Sequence, residues 1–213
     1  MNILKPKETE LKNIVKLEKK LTEIEEDDTI AKKLIASQEI SEAEIINIKF
    51  ENVIFNNVNL TNSKIEKSTF TNVKFTDCNF ANTVFENSNF TRCEFNNCKI
   101  TGCNYIESKL YNVSFNDTNN SYISFSMSGI ENTTFNNTNL RNSYFQENQF
   151  KNVFFEKADL TQSQFFKTSL KDIDLSNSNI EGIAVNLKDI KGAIINQFQA
   201  IDLLYLIGVK VKQ

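Results

Sequence analysis

The sequence predicts an all-β solenoid, because one long stretch repeats a large apolar residue every five positions. From residue 40 to residue 195, 31 of the 32 positions that are multiples of five are large and apolar, and 15 of the 18 phenylalanines lie on this phase. The position two residues earlier is mostly small or β-branched, and the other three positions are mostly polar. A helix repeats at about 3.6 residues and a strand at about two, so this period indicates a coil whose wall turns after each unit.

Individual units match a known pattern closely. Residues 78–82 (CNFAN), 88–92 (SNFTR) and 158–162 (ADLTQ) each contain a small residue, a polar residue, a central Phe or Leu and two further residues. These units resemble those of the pentapeptide-repeat family, and the resemblance covers about three quarters of the chain. It implies a right-handed quadrilateral β-helix over residues 40–195, with about seven to eight coils and about four units in each coil.

This resemblance implies that residues twenty apart stack on neighbouring coils. One such column is aromatic and is the predicted core ladder: Phe55, Phe75, Phe95, Phe115, Phe135 and Phe155. Asn120 is the one polar residue among the central positions. It predicts a tolerated buried amide, which should find a hydrogen-bond partner, or a local bulge, or a kink or projecting segment over residues 116–120.

Residues 1–39 differ from the repeat and predict a helical N-terminal segment. Apolar residues three or four apart follow Pro6 and predict an amphipathic helix that ends near residue 25: Leu11, Ile14, Leu17, Leu21 and Ile24. A second short helix is predicted from Thr29 through Ile35. Two roles stay open for this segment, a cap over the end of the first coil or a helix that binds a partner.

Residues 196–213 predict a short helix that ends at Gly208 and is followed by a strand-like tail. The pattern QA, LL and GV at residues 199–209 resembles the terminal segment of the quinolone-resistance members of the family. The resemblance implies a cap on the last coil that joins two rods into a homodimer. Phe198, Ile201 and Tyr205 share one face of the predicted helix and are the candidate dimer contact. The alternative, that they only seal the core, stays open.

No catalytic, cofactor-binding or metal site is predicted. The chain has no histidine, and its five glycines are isolated, so neither a nucleophile–base pair nor a phosphate-binding loop is apparent. Cys78, Cys93, Cys98 and Cys103 all occupy the small inward position, which indicates reduced structural thiols. A disulfide between Cys78 and Cys98 is the alternative.

One column of polar residues could serve either structure or recognition. Its members precede the central positions of one wall: Asn59, Asn79, Lys99, Asn119, Asn139, Asp159 and Asn179. Their side chains could hydrogen-bond along the column, or they could form a flat recognition surface.

Together these features predict a non-enzymatic protein-interaction rod in the cytoplasm. The first residues lack the apolar region of a signal peptide, and no apolar run is long enough to span a membrane. The quinolone-resistance relatives imply DNA gyrase, a type II topoisomerase, as the partner of a rod that imitates duplex DNA. The alternative is a structural or scaffold protein with no topoisomerase or DNA-mimic role. Residues 46–195 carry 15 acidic and 14 basic side chains, with no basic stripe, so direct nucleic-acid binding is not predicted.

Overall fold

The computed structural model describes residues 3–210, which form an all-β solenoid of about seven turns with a short C-terminal helix. The predicted all-β solenoid and the predicted short C-terminal helix are therefore confirmed. Met1, Asn2 and residues 211–213 of the predicted tail lie outside the described residues, and Val209 and Lys210 form no strand.

The regular elements are short, as expected for a coil that turns every five residues. The strands are β1 Val15–Lys16, β2 Thr29–Ala31, β3 Lys33–Ala36, β4 Glu44–Ile46, β5 Lys49–Glu51, β6 Ile54–Asn56, β7 Lys64–Glu66, β8 Thr69–Thr76, β9 Asn89–Asn96, β10 Lys109–Asn116, β11 Gly129–Asn136 and β12 Gln149–Glu156. The helices are α1 Leu187–Ile190, α2 Gln199–Leu203 and the 3₁₀ turns Leu21–Glu23 and Leu204–Ile207.

Neighbouring strands are parallel and offset by twenty residues. From β8 to β12 each strand pairs with the next, which places Phe75 beside Phe95 and Phe115 beside Phe135. Isolated bridges outside the strands keep the same offset as far as Asp174 and Ile194. Paired residues on neighbouring coils are twenty residues apart, and each repeat unit has five residues. Each coil of the solenoid therefore contains about four units.

The corners between five-residue units require an unusual backbone conformation. A positive φ recurs at nearly every fifth residue, from Lys32 at 52° to Asp172 at 62°. Asparagine fills many of these positions because its short polar side chain tolerates the left-handed region better than most residues do. The asparagine richness of the sequence therefore follows from the corners of the coil.

Amide ladders run along the solenoid at these corners. The Asn72 side chain donates to the Asn52 side chain at 2.6 Å, and Asn82 donates to Asn62 at 3.0 Å. The polar column noted in the sequence mostly behaves differently, because Asn79 and Asn119 accept the backbone N–H two residues ahead. Most asparagines of that column thus stabilise their own turn, and the hydrogen bonds between coils lie at the corners.

The interior is a continuous aromatic stack. The six phenylalanines of the predicted ladder are all buried, with successive ring centroids 4.4–5.2 Å apart: Phe55, Phe75, Phe95, Phe115, Phe135 and Phe155. Stacked rings at this distance add to the stabilisation from apolar burial, by about 0.5–1.5 kcal/mol for each pair. The ladder is therefore a principal part of the core.

Side chains at the small inward position form hydrogen bonds between one coil and the next. The Ser108 hydroxyl donates to the Phe85 carbonyl at 2.9 Å and accepts from the Ser88 N–H at 3.1 Å. At the same kind of position, the Cys103 thiol donates to the Phe80 carbonyl at 2.7 Å. A hydroxyl or thiol at this position satisfies backbone groups of the neighbouring coil.

The prediction of N-terminal helices is wrong. In place of the first helix the chain forms β1 and a 3₁₀ turn, and in place of the second it forms β2 and β3. Residues 15 and 16 pair with residues 33 and 34, so the segment satisfies the strand edge of the first coil. Ile30 and Ile35 are both buried and continue the five-residue phase, which a helix could not accommodate. Leu17 and Leu21 are buried against the same end of the core.

Residues 3–10, which we call the N-terminal strap, lie across the outside of the long strands. The Leu4 N–H donates to the Asn112 side chain at 3.3 Å, and the Lys7 N–H donates to the Asn72 side chain. Lys5 forms an ion pair with the largely buried Glu94 at 3.2 Å. The strap therefore contacts β8, β9 and β10.

Asn120 does not interrupt the solenoid. Asn119 bridges to Asn139 and the Asn120 N–H donates to the Asn139 carbonyl at 2.8 Å, so no kink or projecting segment forms. The expectation that its amide finds a partner is wrong. The Asn120 side chain is fully buried, and neither its oxygen nor its nitrogen has a hydrogen-bond partner within residues 3–210.

Candidate interaction surfaces

The C-terminal helix closes the last coil with polar and apolar contacts. The buried Gln199 side chain donates to the carbonyls of Leu175 and Ser178 at 2.8 and 2.6 Å. Leu203 and Leu206 pack against the end of the core. Gln199 thus satisfies carbonyl groups that the absence of a further coil would leave without partners.

The three residues predicted as a dimer contact lie on the outer side of this closure. Phe198 is 72% exposed and Ile201 is 54% exposed, and Tyr205 is exposed at its ring while its hydroxyl donates to the Ile183 carbonyl. Ile201 lies in α2, Phe198 is the residue before this helix and Tyr205 lies in the 3₁₀ turn after it, and their spacings of three and four residues are those of one helical face. Gly208, with a φ of 74°, ends the following 3₁₀ turn as predicted. We call this face the C-terminal surface.

A second apolar surface lies on a side wall of the solenoid. Tyr144 bridges Ser124 on the preceding coil and Gln164 on the following one. Tyr122 is two residues before Ser124, and Phe166 is two residues after Gln164, so the three rings form a diagonal. All three are exposed, Tyr122 most of all at 57%. We call the surface around Tyr122, Tyr144 and Phe166 the aromatic wall.

The aromatic wall is nearly free of charge. On the outer side of residues 102–107, 122–127, 142–147, 162–167 and 182–187 the charged side chains are Glu107, Glu147 and Lys167. Glu147 and Lys167 neutralise each other in an ion pair of 2.8 Å. On the three preceding coils the same wall is different, since half of its outer residues are charged: Glu42, Glu44, Lys64, Glu66, Lys67 and Glu86.

Two exposed apolar residues of this region occupy strained corners. Tyr122 and Met127 have φ values of 60° and 58°, where the equivalent corners of other coils mostly carry Asn, Gly or a charged residue. A bulky residue in the left-handed region costs about 1–2 kcal/mol. Their presence there is not explained by the needs of the fold.

A groove adjoins the aromatic wall at Met127. It has a volume of about 690 Å³ and is lined by Tyr111, Gly129 and Phe150 among others. A Cβ added at Gly129 would meet no atom within 4 Å, so the missing side chain leaves the groove open. Phe150 is the one phenylalanine of the repeat phase that is not fully buried.

The aromatic wall and the groove were not predicted from the sequence, although off-phase aromatic residues indicate them. Tyr111, Tyr122, Tyr144 and Phe166 are aromatic residues off the five-residue phase, where they cannot point into the core. Their alignment becomes visible only with the register, because 122, 144 and 166 differ by one coil plus two residues.

The interior contains four thiols of different acidity, and a hydrogen bond with the Cys98 side chain lowers the pKa of the Cys78 thiol. All four cysteines are free and buried. Burial raises the pKa of Cys93 to about 12 and raises the pKa of Cys103 further, because a thiolate would lose its hydration. Within residues 3–210 no three His, Cys, Asp or Glu side chains are close enough to hold a metal ion. In the same part of the chain no helix has the length and apolar character needed to cross a bilayer.

Family models match the repeat region. The model described as "Pentapeptide repeat region" matches residues 88–165, and that described as "Pentapeptide repeats (8 copies)" matches residues 70–104 and 149–182. Together they span residues 70–182, which is more than half of the chain. The register and the stacked centres define a β-solenoid repeat protein whose variable chemistry lies on its outer side chains. The chain belongs to the pentapeptide-repeat family.

Several solved structures are similar, all at low identity. A trypsin-treated variant of QnrB1, a plasmid-mediated fluoroquinolone resistance protein, is 15% identical over 93% of this chain and 98% of its own, with a TM-score of 0.38. HetL, a pentapeptide-repeat protein involved in heterocyst differentiation regulation from the cyanobacterium Nostoc sp. strain PCC 7120, is 10% identical over 81% of this chain and 91% of its own, with a TM-score of 0.31. No curated protein matches the sequence.

Proposed function

We propose that this protein is a non-enzymatic interaction rod that pairs with a second copy through the C-terminal surface and binds a protein partner. The proposal includes the right-handed, quadrilateral coil that the family resemblance implies. The observation that carries it is the exposure of Phe198, Ile201 and Tyr205, while Gln199, Leu203 and Leu206 close the core. A contiguous apolar surface of this kind is typical of an interaction site.

The protein is proposed to be non-enzymatic on chemical grounds. Pentapeptide-repeat proteins are typically structural or interaction proteins. The chain has no histidine to act as a general base, and all four of its cysteines are buried inside the solenoid, away from any substrate at the surface. Binding through side chains is therefore the activity that this surface supports best.

Pairing through the C-terminal surface fits a twofold arrangement. In a twofold dimer the same residues of both copies meet each other. The apolar face of one copy would therefore be buried against the identical face of the other copy. Phe198 and Ile201 are exposed on the outer side of the helix that closes the last described coil, where a second copy can contact them. Two rods joined in this way would form one longer particle.

Replacing Ile201 with aspartate is expected to convert the dimer into a monomer. Two carboxylates would be buried against each other at the twofold axis, which is unfavourable. Sedimentation equilibrium should give about twice the chain mass of 24.5 kDa for the wild type and the monomer mass for Ile201→Asp. Val15→Asp, an equally exposed site at the other end, is the control and should remain dimeric. A monomeric wild type at micromolar concentration would contradict the pairing.

Within this proposal a type II topoisomerase such as DNA gyrase is the partner to test first, because the C-terminal pattern resembles that of the quinolone-resistance members. The nearly neutral charge of residues 46–195 is unlike that of duplex DNA, so contact through apolar side chains is favoured over DNA mimicry. A gyrase supercoiling assay with and without the protein, and with a quinolone, separates this partner from a scaffold role. No effect at micromolar protein removes the topoisomerase and leaves the scaffold.

A further inference from the structure

We propose that the aromatic wall is a docking site for an amphipathic helix of a partner protein. The inference deepens the proposed interaction role and does not depend on pairing through the C-terminal surface. Tyr122, Tyr144 and Phe166 supply three exposed rings on consecutive coils. Aromatic anchors of this kind carry much of the binding energy in protein interfaces.

The backbone of this wall excludes an added strand. The N–H of Tyr144 donates to the Ile123 carbonyl at 2.9 Å, and its carbonyl accepts the Phe125 N–H at 2.8 Å. The N–H of Gln164 on the next coil is likewise bonded to the preceding coil, at 2.9 Å. A partner therefore meets side chains alone, and a helix enters such a contact with its own backbone hydrogen bonds already made.

The dimensions of the diagonal suit a short helix. Each step from ring to ring is one coil along the rod, about 4.8 Å, and two residues across it, about 6.6 Å, which gives about 8 Å. The three rings thus extend over about 16 Å, the length of about eleven helical residues, or three turns. A helix of three to four turns can contact all three rings at once.

The charge of the wall fixes the chemistry of that helix. Apart from Glu107 and the mutually paired Glu147 and Lys167, the outer side chains are uncharged. A carboxylate of the partner placed over the rings would lose its hydration, and the nearby Lys167 is already paired with Glu147. The contacting face is accordingly an uninterrupted stripe of apolar residues, with polar uncharged residues on either side.

Fluorescence anisotropy with designed peptides tests the site. The probe is a labelled 18-residue helix with a leucine stripe flanked by glutamine and serine, and the control has the same composition in an order that destroys the stripe. We expect the wild type to bind the striped peptide and to bind the control at least about tenfold more weakly. Undetectable binding of the striped peptide, or equal binding of both, overturns the proposal.

Substitutions taken from the adjacent coils locate the binding without disturbing the fold. Tyr144→Gln copies Gln164 and Phe166→Gln copies Gln146, at the same positions of neighbouring units. The double variant should bind the striped peptide at least about tenfold more weakly. Tyr111→Thr, which copies Thr91 off the wall, should bind as the wild type does. An unchanged affinity of the double variant overturns the site.

Ile201→Asp separates this inference from the proposed pairing. It should bind the striped peptide as tightly as the wild type does, since Ile201 lies outside the aromatic wall. Loss of peptide binding in this variant, with Tyr144→Gln unaffected, would place the site at the C-terminal surface and overturn the inference. A dimer that does not bind the peptide overturns the inference alone.

Discussion

Replacing Phe95 with alanine is expected to lower the free energy of unfolding by about 3–5 kcal/mol. Phe95 is fully buried, with its ring centroid 4.4 Å from that of Phe75 and 4.8 Å from that of Phe115, both nearly parallel to it. Coils above and below hold the backbone in place, so the cavity cannot collapse easily. The expected loss of stability has two parts: the free energy of burying the ring, and the stacking contacts that are missing around the cavity.

Urea unfolding followed by circular dichroism measures this effect, and Phe154→Ala is the matched control. Phe154 neighbours the ladder residue Phe155 but points outward and is only partly buried. The control should lose no more than about 1 kcal/mol, since surface substitutions have small effects. A similar loss in both variants would contradict the assignment of the repeat phase to the core.

Replacing Asn120 with leucine is expected to raise the free energy of unfolding by about 1–3 kcal/mol. The fully buried amide of Asn120 has no hydrogen-bond partner within residues 3–210, so burial leaves its loss of hydration uncompensated. Ile100 and Leu140 occupy the same position one coil away on either side, and both are buried. Leucine at residue 120 would therefore continue an apolar column.

The variant Leu160→Asn provides the control for this prediction. It places a buried amide in the same column, two coils away from Asn120, and should be destabilised by at least as much as Asn120→Leu is stabilised. The midpoints of urea unfolding compare the two variants directly. Destabilisation by Asn120→Leu would mean that the native amide has a stabilising partner, and the account of this position would then fail.

The repeat region could be predicted from the sequence because one physical constraint acts at every unit. Each central position, such as Phe95, must fill the interior, and the position two residues earlier, such as Ser108, also points inward and is mostly small or β-branched. The prediction of N-terminal helices was wrong because the five-residue phase already begins within that segment. Leu17 and Leu21 are four residues apart, which fits a helix, but Ile30 and Ile35 already follow the five-residue phase.

The surfaces could be predicted only in part. The spacing of Phe198 and Ile201 indicates a helix face, and the structure places both residues at the exposed end of the rod. The aromatic wall could not be recognised without the register, because Tyr122 and Phe166 are 44 residues apart in sequence. The partners of the Asn72 and Asn112 side chains also depend on where the N-terminal strap lies, which no local pattern specifies.

Distances between spin labels test the stacking of coils most directly. Ala31, Glu51, Thr71, Thr91, Tyr111, Glu131 and Lys151 form one column of paired residues. With the four native cysteines replaced by serine, labels at Ala31 and at Tyr111, Glu131 or Lys151 should be about 19, 24 and 29 Å apart by double electron–electron resonance. A constant increment of about 4.8 Å for each twenty residues is the predicted result. Distances that do not increase evenly along this series would contradict the solenoid and the surfaces built on it.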